Sequence, residues 1–332
     1  MSSDFLFQDC HENKTVNYPT DLCVSGTVFQ HNSTSQVFTE GRSRRSIVIT
    51  AIFVLLVCTS FAGNVTVLVS WFRNKIPRRI IYFYTSNLAS ADLLATVAVA
   101  LIPINNHMTS TAGDVVCKIN YFAINTSFTT SILTLVAIGL TRYQTITSIT
   151  PTHFSQEKRN LARKRCCLIW LIAIITASPF LSVVGQNDEP GRNDCVKNSN
   201  WPVLYLKMYY VMHLVLFFIF PLLFVMFVSC RIYCVLRKNT ALNAHGNTPG
   251  KPSFTVPPKN TNRTKIVFLT VFTFLVCVGP ISVVRTLELL FESSNIIPFS
   301  LSRVFQLLWI LNGVLDPVIY LAFSSEIRKA IF

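Results

Sequence analysis

Seven stretches of this chain stay apolar over lengths that ordinary surface helices do not reach, and polar or cationic intervals separate them. They run Ile47 to Phe72, Ile80 to Ile104, Val115 to Tyr143, Cys166 to Val184, Leu204 to Leu236, Ile266 to Phe291 and Pro298 to Ala322. A helix crosses the hydrocarbon of a bilayer in roughly 20 residues at 1.5 Å each, and all seven stretches are about that long or longer. Helices are required there, because lipid offers no partner to an unpaired backbone group. The pattern predicts an all-α membrane protein: a seven-transmembrane helix bundle over 47–322, behind a mostly polar segment, 1–46. At the far end, 323–332, Phe323, Ile327 and Ile331 recur every four residues. That spacing predicts a short amphipathic helix lying on the membrane surface, with Arg328 and Lys329 near the lipid headgroups.

Composition agrees. Of 332 residues, 51% are hydrophobic and 13% charged, against about a quarter charged in a soluble domain. A net charge of +14 raises the question of nucleic acid. The cations, however, sit in short clusters between apolar runs, which reads as membrane topology and sets nucleic acid aside. With the N-terminus outside, 19 of the 29 lysines and arginines fall on the cytoplasmic side. The positive-inside rule therefore predicts an extracellular N-terminus and a multi-pass protein of the cell membrane. Arg42, Arg44 and Arg45, at the mouth of the first helix, argue the other way; "RSRR" reads as a juxtamembrane charge cluster rather than a protease site. Asn13 in "NKT" and Asn32 in "NST" are glycosylation acceptors on the outer side. Other matches at Asn64, Asn125 and Asn262 fall within helices or in the third inner loop.

Ten cysteines do not make a disulfide framework here. Cys58, Cys166, Cys167, Cys230, Cys234 and Cys277 lie within or at the inner ends of helices and read as small buried residues. Cys10, Cys23, Cys117 and Cys195 face the oxidising side. A Cys117–Cys195 bond would pin the second outer loop across the bundle, and a Cys10–Cys23 bond would close a small N-terminal ring. Four cysteines allow three pairings, and spacing alone does not choose among them.

Ionisable groups inside a membrane are costly and are functional candidates by default. Asp92 and Asp316 both lie in apolar helices, and Asn64, Ser131 and Asn312 stand at comparable depth. Convergence of the five would form a polar chamber able to hold water or a sodium ion. Arg142 ends the third apolar run, 25 positions after Cys117, or roughly 37 Å along one helix. Thr141 stands beside it where a neutralising acid would be expected. The third inner loop, Asn239 to Thr264, is rich in Pro, Gly, Asn and Thr and reads as flexible.

In order along the chain stand "GN" at Gly63 and Asn64, "LASAD" ending at Asp92, Cys117, "TRY" from Thr141 to Tyr143, and Trp170. Cys195, "FFIFP" ending at Pro221, "FLVCVGP" ending at Pro280 and "DPVIY" from Asp316 to Tyr320 follow. This order resembles the rhodopsin-like (class A) family of G-protein-coupled receptors, over nearly the whole chain from the first helix onward. The resemblance implies that Arg142, Tyr143 and Tyr320 serve coupling to a heterotrimeric G protein. It also implies that Ile132, Pro221 and Phe274 link ligand pocket to inner face. Asp92, Ser131, Asn312 and Asp316 match its sodium site, the one ion expected, with no other cofactor and no metal centre. Pro221, Pro280 and Pro317 are expected to kink helices five, six and seven, each removing a backbone bond.

Departures from the family pattern matter as much. Thr141 and Asn260 deny Arg142 both of its usual acidic partners, from which raised basal activity is expected. Val278 stands where the family has a tryptophan, and Ser229 where helix five has a tyrosine. No aspartate lies between Cys117 and Ile132, so an amine ligand lacks its counter-ion. Lys207, Arg285 and Arg303, in the outer turns of helices five, six and seven, are candidates to hold a phosphate or carboxylate, the group of a lipid or nucleotide-like ligand. Glu288 and Glu292 are the alternative partners of such an arginine. A peptide ligand is the rival within the family. A channel or transporter with Asp92 and Asp316 along an ion path is the rival outside it. Neither HExxH nor GxSxG occurs, and the histidines, His213 included, are too scattered for a metal site, so no enzyme is expected.

Overall fold

The computed structural model describes residues 32–73, 75–76, 79–105, 110–147, 156–186, 195–197, 201–245, 258–292 and 297–331. Cys10, Asn13 and Cys23 lie outside them, as do the side chains of Asn32, Asn260 and Arg303. Seven helices are long and apolar enough to span a membrane, as the hydropathy pattern predicts. Their ends differ from the apolar runs, because hydropathy marks where lipid stops rather than where a helix does. The first helix is Asn32–Phe72, extending fifteen residues before Ile47. On the inner side, the fifth continues to His245 and the sixth begins at Pro258. Much of the expected flexible loop is thus helical, Asn262 included.

The fifth spanning helix is not uniform. A π-helical turn, Val215–Ile219, joins Val203–Leu214 to Phe220–His245, and the Phe220 amide donates to the Val215 carbonyl. Pro221 follows at once. Its ring lacks an N–H and crowds the carbonyl four residues back, at Phe217, so one residue of slack relieves the clash. Pro280 and Pro317 sit inside the sixth and seventh helices as expected, and Pro103 adds one in the second that the sequence reading passed over.

The outer loop after the fourth helix holds the one strand pair among the described residues. Val184–Gln186 pairs antiparallel with Cys195–Lys197, with Gln186 opposite Cys195. Cys195 is bonded to Cys117 at the outer end of the third helix, Cα to Cα 5.6 Å. Asp114 Oδ1 accepts from the Gln186 amide at 3.2 Å, so the hairpin is fastened to the third helix twice.

Hydrogen bonds between helices stitch the middle of the bundle. Asn64 Nδ2 donates to the Ser60 carbonyl at 3.0 Å and to the Gly313 carbonyl at 2.9 Å. Ser60 and Thr96 share a hydroxyl bond at 2.8 Å. Asn87 gives its amide to Thr134 at 2.8 Å and receives Trp170 Nε1 at 2.9 Å, tying helices two, three and four. Such bonds typically contribute about 1 kcal/mol in lipid. Small residues let the first and seventh helices approach: a Cβ at Gly63 would lie 2.8 Å from Pro317 Cγ, and one at Gly313 2.7 Å from Ser60 Oγ.

The C-terminal helix, Ser325–Ile331, forms as predicted and buries Ile327 and Ala330. Arg79 Nη1 and Tyr82 Oη hold Glu326 at 2.9 and 2.6 Å, which docks it against the second helix. The cysteines depart from expectation. Cys166 and Cys277 are buried, whereas Cys58, Cys167, Cys230 and Cys234 are exposed on the surface of the bundle, where lipid tails treat a thiol much as a methyl.

Candidate functional site

Toward the hairpin end, helices three, five, six and seven enclose a cavity of about 150 Å³. Tyr121, Phe128, Tyr210, His213 and Trp309 give it an aromatic wall, and Arg285 is the cation among its lining residues. The rings interlock: Phe128 and His213 stand 5.5 Å apart, Phe180 and Tyr209 likewise, and Phe180 meets Tyr210 edge-on at 5.9 Å. Of the expected anion-binding trio, Arg285 lines this cavity and Lys207 does not, and the Arg303 side chain lies outside the described residues. Arg285 Nη1 contacts Glu288 Oε2 at 3.1 Å on its own helix. Lys207 Nζ meets Glu292 Oε1 at 2.6 Å, away from the lining. Glu292 ends the sixth helix with a positive φ of 51°, the left-handed stop that frees its side chain to turn toward the fifth helix.

Below lies a second cavity of about 30 Å³, lined by Asp92, Thr96, Ser131, Asn312, Phe274 and Val278, among others. The predicted polar chamber exists. Asp316 lies beside Asp92, and Asn64 is bonded to Gly313 in the same wall. Four buried oxygens here have no hydrogen-bond donor: Asn64 Oδ1, Asp92 Oδ2, Asn312 Oδ1 and Asp316 Oδ1. Leaving a buried acceptor unmet costs about 1–3 kcal/mol. An all-oxygen set of this kind suits a hard cation or ordered water.

Phe128 and Trp309 are the two residues that line both cavities. Val278 is buried at the sixth-helix position where a tryptophan was missed, and the indole at the divide comes from the seventh helix instead. Sequence reasoning overlooked Trp309. The signal was present, since Trp309 precedes Asn312 by three and Asp316 by seven residues, which sets all three on one helical face. The rings continue downward, with Phe274 5.8 Å from Phe128 and 6.3 Å from Phe218. Ile132 is wholly buried in the same cluster, and Pro221 is buried three residues after Phe218.

At the opposite end, Arg142 is only 7% exposed. It does not reach for headgroups. With Tyr82, Leu135, Ile266, Thr270 and Tyr320 it lines a closed space of about 20 Å³. The neighbouring Thr141 hydroxyl is turned back onto the Ala137 carbonyl at 2.7 Å, and Tyr143 is half-buried.

An outer cavity, a polar middle and a buried arginine at the inner end are thus threaded on one bundle. The model of the 7 transmembrane receptor (rhodopsin family) matches residues 63–320. The chain belongs to that family. Similar proteins include sphingosine 1-phosphate receptor 3 of Takifugu rubripes, 27% identical over 279 residues, 83% of this chain and 68% of that one. A QRFP-like peptide receptor of Branchiostoma floridae is 25% identical over 329 residues, 90% and 83% of the two chains. Atypical chemokine receptor 3 of Canis lupus familiaris is 27% identical over 260 residues, 74% and 67%. The protein is a multi-pass membrane receptor, not an enzyme. The family as a whole couples to heterotrimeric G proteins.

Proposed function

We propose that this receptor takes an anionic amphiphile, a lipid bearing a phosphate or carboxylate, into the aromatic cavity and passes the signal to a heterotrimeric G protein at the Arg142 end. The observation that carries the reading is Arg285, the one arginine or lysine among the described residues that line a mainly apolar and aromatic cavity, where Asn125, Ser282, Thr286 and Gln306 are its polar neighbours. A guanidinium has five donors in a planar fork, so Arg285 serves a phosphate while keeping Glu288. The aromatic and aliphatic side of the cavity, set against one placed charge, suits a tailed ligand. One relative is named for sphingosine 1-phosphate, a ligand of that chemistry. The orientation is the one the cation distribution favours, with an extracellular N-terminus glycosylated at Asn13 and Asn32.

In this reading Asp92, Ser131, Asn312 and Asp316 hold a sodium ion, which supplies the positive charge their unmet oxygens call for. Arg142, Tyr143 and Tyr320 meet the G protein once the sixth helix moves outward about Pro280, the fifth yielding at the turn before Pro221 and the seventh at Pro317. Sphingosine 1-phosphate is the first probe, with nucleotide exchange on purified G protein as readout and sphingosine, which lacks the phosphate, as the control. Arg285→Gln is expected to raise the half-maximal concentration at least tenfold, the loss of about 1.4 kcal/mol of a charge-assisted bond. Equal responses from wild type and Arg285→Gln would sink the anionic reading. Activation of both by a peptide would favour the peptide alternative, to which the QRFP-like relative points.

A further inference from the structure

The outer cavity, at about 150 Å³, matches an engineered cavity that takes up benzene. It therefore encloses the head of an amphiphile and the first few carbons of its chain, and any hydrogen-bonding group in its wall selects among heads. Helical register divides the lining into two tiers. Arg285 lies beside Tyr210 in the outer tier. His213 follows Tyr210 by three residues on the fifth helix, one turn or about 5 Å further in. On the sixth helix, Ser282 and Thr286 turn their hydroxyls onto their own backbone, at the Val278 and Ser282 carbonyls. Asn125 and His213 keep capacity in reserve. Asn125 Nδ2 donates to the Tyr121 carbonyl at 2.8 Å. Only the nitrogen of an amide can donate, so this bond leaves Oδ1 as the acceptor available to the cavity. His213 Nε2 lies 3.4 Å from the Thr129 hydroxyl, one turn below Asn125 on the third helix, and Nδ1 has no hydrogen bond among the described residues. Phe128, Tyr209 and Phe217 surround the imidazole at 5.5 to 5.9 Å. No Asp or Glu is among the described lining residues. An ammonium buried here would lack a counter-ion, whereas a hydroxyl needs none.

We infer that the ligand carries a hydroxyl on its chain, about 5 Å inward of the anion, seated between Asn125 and His213, which set selectivity for it. This rests on the anionic amphiphile proposed above and narrows it to a hydroxylated chain. With the proton on Nδ1, His213 Nε2 accepts from Thr129, Nδ1–H donates to the ligand hydroxyl, and that hydroxyl donates to Asn125 Oδ1. Every group is then met. A ligand without the hydroxyl leaves both side chains facing hydrocarbon, and a site built to bond a hydroxyl rejects the analogue lacking it.

Octadecyl phosphate and 3-hydroxyoctadecyl phosphate, alike but for the hydroxyl, test this on the purified full chain, with half-maximal concentration for nucleotide exchange on purified G protein as readout. The wild type is expected to respond to the hydroxylated phosphate at a concentration at least tenfold lower. His213→Phe, which keeps a ring in the aromatic cluster, and Asn125→Leu are each expected to bring the ratio of the two concentrations near unity by weakening the hydroxylated compound alone. A merely structural role for either residue would move both compounds together and leave the ratio in place. Arg285→Gln is expected to weaken both and keep the ratio. Sphinganine 1-phosphate, which adds an ammonium beside the same hydroxyl, is expected to act no more strongly; a tenfold gain from it overturns the choice of hydroxyl over ammonium. Equal potency of the two phosphates on the wild type, with Arg285→Gln weakening both, overturns this inference and leaves the anionic reading standing. Activation by neither overturns both. The wild-type ratio decides the question even if the variants do not fold.

Discussion

Single residues set how this receptor departs from the motif pattern of its family. Thr141 spends its hydroxyl on its own helix at Ala137, so position 141 supplies no carboxylate to hold Arg142 in its buried setting. An acid there would add a restraint on the order of 1 kcal/mol to the closed state. Thr141→Asp is therefore expected to lower ligand-free second-messenger production in expressing cells by roughly fivefold; a wild type no more active than untransfected cells removes the premise. Asn87 carries a different load, bonding Thr134 and Trp170 at once. Asn87→Ala strands the indole N–H between helices and is expected to cost about 1–2 kcal/mol, read as a lower thermal unfolding midpoint in detergent. The residues that carry family motifs were legible because each motif names a position. Glu288 and Glu292 were legible only as alternatives. Which of them meets Arg285 depends on where the sixth helix stops, and that stop is a left-handed Glu292 rather than the glycine a reader looks for.

At the scale of elements, seven apolar runs were readable because lipid imposes one solution on the backbone, whereas helix ends outside lipid were not. Nothing in hydropathy reports the hairpin at Val184–Gln186, since three residues per strand are too few to show a period. Close approaches were equally hidden. Gly63 was legible as part of a family motif and Gly313 was not singled out, yet each lets one helix lie against a neighbour's side chain, Pro317 or Ser60. Gly63→Val is expected to push helices one and seven apart at about 1–3 kcal/mol, lowering the thermal midpoint. Gly139→Ala is the contrasting case: its new methyl would meet Val225 at 3.7 Å, ordinary contact, and the midpoint should hold. Equal effects from both would show that packing at Gly63 is looser than the geometry says.

Across the whole molecule, two cavities meet at a wall made of Phe128 and Trp309, so whatever fills one bears on the other. The lower cavity presents unmet oxygens from helices one, two and seven, and the sodium ion proposed there would draw those helices together. An agonist that shifts Trp309 alters the same seventh-helix face that carries Asn312 and Asp316. If sodium fills the lower cavity and agonist the upper, as proposed, a shift of the shared wall couples them reciprocally: the factor by which sodium weakens agonist binding equals the factor by which agonist weakens sodium. Replacing sodium with N-methylglucamine at constant ionic strength is thus expected to raise agonist affinity about 5- to 150-fold, the span of typical couplings. Asp92→Asn, which keeps the shape and removes the charge, is expected to abolish the sodium effect while leaving Arg285-dependent binding in place. Trp309→Leu thins the wall and should shrink the coupling without removing either site. A sodium effect that survives Asp92→Asn would move the ion elsewhere and leave the four oxygens to water.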